Sequence, residues 1–395
     1  MKKIGGILCM LLTLAVPSPG LVGPALAEAI KVGVILPLSG KLAEFGEIEK
    51  KSFLMAEHEI NTTGFPNGDT LELIFRDTGG RPDVGRVVAE ELITAEKVAV
   101  LAGGISSSVV WEAASVAQQR KVPFLVNTAS ADKITEQNWR YVFRLNPPVS
   151  EHPETLASFL KNVTRVRTVA ILYENTLSGV FGLKRFLKQC EQSAFDVVLK
   201  AAYESDLNDP DSLFLKVRVA DPDLVYMVFQ PADAATLMQR AKALEVRPGL
   251  FLGNSAAFTS QRFRDYAGDA ANHAFSSTIW AASVPYPGAK KFYDKFVNDH
   301  QSPPDYHGAQ AYAAMYVIAD ALKRTNALTS KGMRDALAET DTMTIFGPVK
   351  FVSYEKKTQQ NKLPTYLVQW IDGKLETVWP QAVASARYVY PFPAD

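Results

Sequence analysis

Residues 103–108 read Gly-Gly-Ile-Ser-Ser-Ser, between a short β-branched run at 97–101 (KVAVL) and a stretch from Val109 (VVWEAASVAQQ) whose apolar spacing predicts a helix. A helix N-terminus offers backbone N–H groups that have no partner inside the helix. With glycines and serine hydroxyls around it, such a terminus makes a small site for a carboxylate or a phosphate. A plainer reading also stands: Ser106 caps the helix and the glycines fit a tight strand-to-helix turn. Catalytic and metal chemistry find less support. The histidines, His58, His152, His273, His300 and His307, lie far apart, with neither H-x-x-x-H nor H-E-x-x-H spacing and no hydrolase elbow. Glu57 and Glu59 flank His58, but on a helix they point to different faces. Neither a metal, a cofactor nor an enzymatic activity is expected.

The elements that must position such a site begin after residue 27. Lys2 and Lys3 precede an apolar run at 4–16 that is too short to span a bilayer, and Ala25, Leu26 and Ala27 form a small-residue cleavage pattern, so residues 1–27 read as a cleaved export signal and the mature protein as periplasmic. Cys190 is then the one cysteine left. Without an internal disulfide the fold must stand on its core, which a 395-residue chain with 47% hydrophobic residues can build, most naturally as two domains. Its 42 basic and 42 acidic residues cancel, and no Lys/Arg run follows the signal, which argues against a nucleic-acid partner, and no second segment is long enough for membrane insertion.

From Ile30 short apolar runs alternate with amphipathic stretches: IKVGVILPL, a helix at 44–60 with Phe53, Leu54, Ala56 and Ile60 on one side, LELIFRD, a helix at 83–94, the 97–108 stretch, and VPFLVN. That alternation predicts a parallel sheet covered on both faces, with its ligand crevice at the carboxyl ends of the strands. The pattern restarts after YVFRLNPP, with VAILYE, GVFGLKRFLKQC, FDVVLKAAY, LVYMVF and LFLG in order. Residues 98–130 and 224–256 share one plan, marked by Arg120, Pro123, Asn127 and Thr128 in the first copy and by Arg247, Pro248, Asn254 and Ser255 in the second. The expected fold is α/β: two Rossmann-like lobes with parallel sheets, 28–147 plus 280–346 and 148–279 plus 347–395, joined by a three-strand hinge near Pro147, Ser277 and Gly347.

In their order, IKVGVILPLSG, LAGGISSS, FLVNTAS, LVYMVF and FGPVKF resemble the type I periplasmic binding proteins, in particular the branched-chain amino acid group that serves ATP-driven (ABC) importers. The resemblance implies that a ligand carboxylate meets Ser106 with the neighbouring Ile105 and Ser107, then Ala129 and Ser130 on the next loop, with Phe45 covering the ligand from the first loop. It also implies aromatic residues near Ser178 and Gln230 and an acid near Ser255 that pairs with the ligand's ammonium. Here the last is a serine. Either Asp233 or Glu174 supplies that acid, or the ligand carries no ammonium and meets a neutral surface, since a buried unpaired charge costs several kcal/mol. Phe45, Trp111, Tyr173, Phe229, Tyr306 and His307 are candidate flat walls for an aromatic acid. The function implied is a monomeric solute receptor that captures a small carboxylate and hands it to the membrane permease of an ABC importer. An amide or urea sensor of the same fold and an exported enzyme are the alternatives.

Overall fold

Polar and apolar residues alternate with the two periods the sequence predicts, and the computed structural model, which describes residues 29–65, 68–203, 209–325 and 327–393, places the chain in two α/β lobes. The expected export signal lies outside the described residues. The first block runs β1 (Ala29–Leu36), α1 (Ala43–Thr63), β2 (Thr70–Asp77), α2 (Pro82–Thr94), β3 (Val100–Gly103), α3 (Ser107–Arg120), β4 (Phe124–Val126) and β5 (Val142–Arg144). The second runs α4 (Pro153–Asn162), β6 (Thr168–Glu174), α5 (Leu177–Ser193), β7 (Asp196–Tyr203), α6 (Pro210–Ala220), β8 (Leu224–Val228), α7 (Pro231–Ala243), β9 (Leu250–Gly253), α8 (Ser255–Phe258), α9 (Gln261–Ala267) and β10 (Phe275–Thr278). The remainder supplies α10 (Ala289–His300), α11 (Tyr306–Arg324), α12 (Ser330–Ala338), β11 (Asp341–Thr344), β12 (Gly347–Tyr354), β13 (Lys357–Asn361), β14 (Tyr366–Ile371) and β15 (Lys374–Trp379).

The first sheet has the order β2-β1-β3-β4-β5-β13-β12-β11 and the second β7-β6-β8-β9-β10-β14-β15. In each, the five block strands follow the same 2-1-3-4-5 order and pair in parallel, so the two copies seen at 98–130 and 224–256 are equivalent parts of equivalent sheets. Both faces of each sheet are buried. Val32, Val34, Ala102 and Leu125 pack with α1, α10 and α11 on one side of the first sheet, while Ile35, Leu101, Phe124 and Val126 pack with α2 and α3 on the other. Such two-sided burial is what the near-continuous apolar strand sequences require. On α1 the apolar face is narrower than expected: Phe53, Ala56 and Ile60 are buried, but Leu54 points outward and is exposed.

Two expectations need correction. The strand expected at 97–101 begins three residues later, because Lys97 sits in the left-handed region (φ 57°) and still belongs to the turn after α2. The third crossing falls after Asn361 rather than near Gly347. β12, placed by sequence in the second lobe, stays in the first sheet, because it turns back into β13 and β13 joins β5 in parallel at Gln360 opposite Arg144. KTQQN lacks an apolar face, so its strand is invisible to hydropathy; it is buried all the same, with Gln360 and Asn361 taking up polar groups of β5 and the residues after it.

The connecting segments are cross-linked to one another. Thr155 Oγ1 donates to Thr365 O (2.9 Å), Thr365 Oγ1 to His152 O (3.1 Å) and Trp280 Nε1 to Ile345 O (2.9 Å), and the Tyr286 and Tyr366 hydroxyls meet at 2.8 Å. The fully buried Arg144 donates to Gln360 Oε1 (2.6 Å), Ala131 O (2.6 Å) and Thr135 Oγ1 (3.0 Å), and burial lowers its pKa to about 10. Arg144 thereby ties the loop beyond β4 to β13. Arg144→Met removes three charged hydrogen bonds from this buried network, leaving Gln360 Oε1 to Thr135 Oγ1 (3.1 Å) and Ala131 O to Ile134 N–H (3.2 Å), so unfolding by urea is expected to cost about 2 to 4 kcal/mol less than in wild type; an unchanged midpoint with an unchanged slope would show that the network contributes nothing.

Candidate ligand-binding site

Gly103 and Gly104 shape the turn from β3 into α3. Both have positive φ (101° and 99°), and a Cβ on Gly103 would stand 2.5 Å from Ile35 O, one on Gly104 2.3 Å from Val110 Cγ2. Only glycine fits either requirement. Ser106 occupies the N-cap position with extended backbone (φ −73°, ψ 120°), yet its side chain accepts no hydrogen bond from the helix. The hydroxyl instead meets Ser108 Oγ at 3.0 Å. The capping role weighed for Ser106 is therefore not what its side chain does. The first turn of α3 keeps its N–H groups uncapped, with the positive end of the helix dipole behind them.

The loop after β4 is stapled against this turn. Ala129 N–H donates to Gly104 O (2.9 Å), Ala131 N–H to Ser107 Oγ (3.2 Å), and Val149 N–H to Ser130 O (2.8 Å). Ser107 thus spends an acceptor on its own lobe, and Ala129, buried, has only its carbonyl left to offer. Ile105, Ser106, Ser107 and Ser130 are half-buried at the carboxyl ends of β3 and β4.

Across the same loop lies a buried polar chain that sequence reasoning missed. Glu49, fully buried on α1, meets Asn127 Nδ2 at 2.8 Å and Thr128 Oγ1 at 2.6 Å. Thr128 Oγ1 is 2.9 Å from Gln310 Oε1, Gln310 Nε2 donates to Asn146 Oδ1 (2.7 Å), and Asn146 Nδ2 donates to the Thr128 carbonyl (2.5 Å). Burial pushes the Glu49 carboxyl up to about 7, against the opposing pull of His307 and the hydrogen bonds of Thr128 and Asn127. The signal that could have found it is spacing: Glu49 follows Phe45 by four residues and Gln310 follows His307 by three, so each pair shares a helix face.

Phe45 and His307 stack at 4.5 Å between ring centroids, and Tyr306 stacks on His307 at 4.1 Å. His307 Nδ1 lies 2.9 Å from Asp305 Oδ2. Burial alone would lower the His307 pKa, but the Asp305 carboxylate and its hydrogen bond outweigh it and hold the imidazole above its ordinary value. The other candidate walls go elsewhere. Trp111 tilts against Trp139 (5.1 Å) under the Lys133 ammonium, and Phe229 is core of the second lobe against Tyr203 (4.9 Å). Tyr173 is half-buried on β6.

In the second lobe the strand ends bring two carboxylates together. β6 and β8 are neighbours, with Tyr173 opposite Val228, so Glu174 at the end of β6 faces the start of α7, where Asp233 sits in the first turn. Burial raises the Glu174 pKa, and the Asp233 charge raises it further. Gln230 is exposed at the N-cap of α7. Asn254 Oδ1 accepts from Phe229 N–H (3.0 Å) and fixes that turn. Ser178 lies in the first turn of α5 and Ser255 opens α8, while their side chains lie outside the described residues.

Two lobes of this topology, with polar strand ends and an uncapped helix N-terminus, define a solute-binding architecture. Residues 29–374 match the family model of periplasmic binding proteins, and the chain belongs to that family, in its type I, Leu/Ile/Val-binding-like group. It is 25% identical to a Leu/Ile/Val-binding protein homolog 7 from Brucella melitensis over 388 residues, covering 94% of this chain and 96% of the relative. Its fold is similar to that of the branched-chain amino acid transporter substrate-binding protein LivJ from Streptococcus pneumoniae, solved with isoleucine (TM-score 0.70, 22% identity, covering 92% of this chain and 100% of that one). A comparable similarity links it to an ABC transporter solute-binding protein from R. palustris solved with benzoate (TM-score 0.68, 20% identity, covering 93% and 98%).

Because Ser106 does not cap α3, Ser106→Ala is expected to leave the denaturation midpoint of the free protein within about 0.5 kcal/mol of wild type, where a true N-cap would lose about 1 kcal/mol. A loss of the larger size in chemical denaturation would return Ser106 to the capping role.

Proposed function

We propose that this chain is a periplasmic, non-catalytic receptor that captures a small zwitterion, an α-amino acid with an apolar side chain, between its lobes and delivers it to the permease of an ABC importer. In this reading the ligand carboxylate lies on the uncapped start of α3, at Ile105, Ser106 and Ser107, with Ala129 and Ser130 beside it. The ring pair of Phe45 and His307 walls its side chain. The observation that carries the ammonium is the adjacency of Glu174 and Asp233 at the strand ends of the second lobe. Ser255 removes the acid implied by the resemblance, and this pair supplies negative charge from neighbouring strand ends instead. Family membership and the Leu/Ile/Val-binding relatives support the same reading.

A neutral pocket for an aromatic acid is the second reading, favoured by the stacked Phe45, His307 and Tyr306 rings. Titration calorimetry with leucine and with benzoate separates the two. Leucine is expected to bind more tightly, and Glu174→Gln or Asp233→Asn to weaken it by about 2 kcal/mol or more, the scale for removing one partner of a desolvated charge contact. Ser106→Ala is expected to weaken either ligand by about 1.5 to 3 kcal/mol. Benzoate binding tighter than leucine, and indifferent to both acidic substitutions, would move the assignment to aromatic acids.

A further inference from the structure

We propose that Glu49 is held as a neutral, protonated acid whose proton orders the loop at 127–131, so that this loop loosens as the carboxyl ionises. Thr128 has fewer hydrogens than its oxygen contacts require. Its hydroxyl carries one hydrogen and lies within hydrogen-bond distance of two oxygen acceptors, Glu49 Oε1 (2.6 Å) and Gln310 Oε1 (2.9 Å).

The orientation of Gln310 is locked. Its nitrogen faces Asn146 Oδ1 (2.7 Å), and Asn146 in turn points its own nitrogen at the Thr128 backbone carbonyl (2.5 Å), which can only accept. Reversing either amide sets two acceptors against each other. The Thr128 hydrogen therefore goes to Gln310, and the short contact to Glu49 needs a hydrogen on Glu49. Asn127 is compatible with that proton only as placed: its nitrogen donates to Glu49 Oε2 (2.8 Å) and to Thr128 Oγ1 (3.0 Å), leaving its buried Oδ1 without a partner, whereas turned round Oδ1 would oppose both oxygens and the single carboxyl proton, already used at Oε1, could not relieve it.

The charged and titratable groups around Glu49 agree. From α11 and its N-cap come His307, Tyr306 and Asp305, and from the β4 loop only the neutral Asn127 and Thr128. His307 and Asp305 already balance one another across 2.9 Å, so an anionic Glu49 would be a net buried charge. A carboxyl raised from 4.5 to about 7 gives stability that is complete below 4.5 and disappears as pH rises through about 7. The loop so governed is the one assigned as the second arm of the carboxylate site. Proton-linked ligand capture rests on that assignment, whereas the proton on Glu49 does not.

The test uses the mature ligand-free chain and Glu49→Gln, whose amide reproduces the neutral acid by donating to Thr128 and accepting from Asn127. Between pH 5 and pH 8 the wild-type melting temperature is expected to fall by about 3 to 5 °C relative to the variant, and the variant to match wild type at pH 5. His307 and Glu49 feel each other's charge, so the difference reads Glu49 together with its effect on His307, whereas the infrared carbonyl band reads Glu49 alone. Hydrogen exchange in peptides covering 127–131, corrected for intrinsic rates, is expected to accelerate at pH 8 in wild type only. Infrared spectra at pH 5 are expected to show the carbonyl stretch of a buried neutral acid that Glu49→Gln removes. A variant that melts lower than wild type by the same amount at both pH values would make Glu49 an anion and overturn the proposal; pH-independent exchange in the wild-type loop would overturn the ordering role.

Discussion

The carbonyl oxygen of Thr128 can only accept, and that single fact propagates through the first lobe. It fixes the amide of Asn146, which fixes Gln310, which fixes the hydroxyl of Thr128, and so joins β5, α11, α1 and the loop after β4. None of these groups can leave the chain cheaply, because each is buried and an unpaired polar group there costs roughly 1 to 3 kcal/mol. Arg144 holds the far side of the same loop through Ala131 O. A loop that would otherwise be free to move at a cleft is thus fastened at both ends. Under the proposed function that rigidity favours binding, since ordering a loop on binding is subtracted from the affinity.

Equivalent positions in the two lobes carry different tasks. Asn127 and Asn254 each follow the fourth strand of their sheet, and the two sheets share one strand order. Asn127 reaches sideways to Glu49, whereas Asn254 turns back to the Phe229 N–H of its own neighbouring strand. The first lobe therefore ties its loop to α1 and, through Gln310, to α11 from the far end of the chain, and the second fastens its loop locally. One consequence is chemical asymmetry. The first lobe presents an uncapped helix start and rings, while the second presents the carboxylates of Glu174 and Asp233.

Much of the fold was legible in the sequence because parallel strands buried on both faces must be apolar, and short apolar runs such as VAILYE and LVYMVF suit that environment better than any half-exposed one. The repeat of strand, helix and strand made the lobes visible. What hydropathy could not show is polar burial: KTQQN is a strand because Gln360 and Asn361 answer the needs of Arg144 and the chain beyond β5, and no property of the pentapeptide itself says so. The same limit hid Glu49 in a helix rich in charges. Ser106 was singled out from residue types and spacing, Phe45 through the family resemblance and His307 as one of several candidate rings, and the structure adds that Phe45 stacks on His307 while Trp111 and Phe229 serve local packing.

Under the proposed function, the asymmetry gives a ligand a way to drive closure. With the cleft empty, bringing the lobes together would desolvate the N–H groups of α3 on one side and two carboxylates on the other, across a gap that the ligand would fill. A zwitterion placed between them answers both at once: its carboxylate takes the helix start and its ammonium takes the acids. A ligand shifts a two-state equilibrium only by its differential affinity for the two states. In the proposed reading that difference is the simultaneous contact of one small molecule with the start of α3 and with Glu174 and Asp233, which only the closed form would allow. Under the proposed function, closure would depend on the ligand's having both signs, and selectivity among amino acids would be left to the walls of Phe45 and His307.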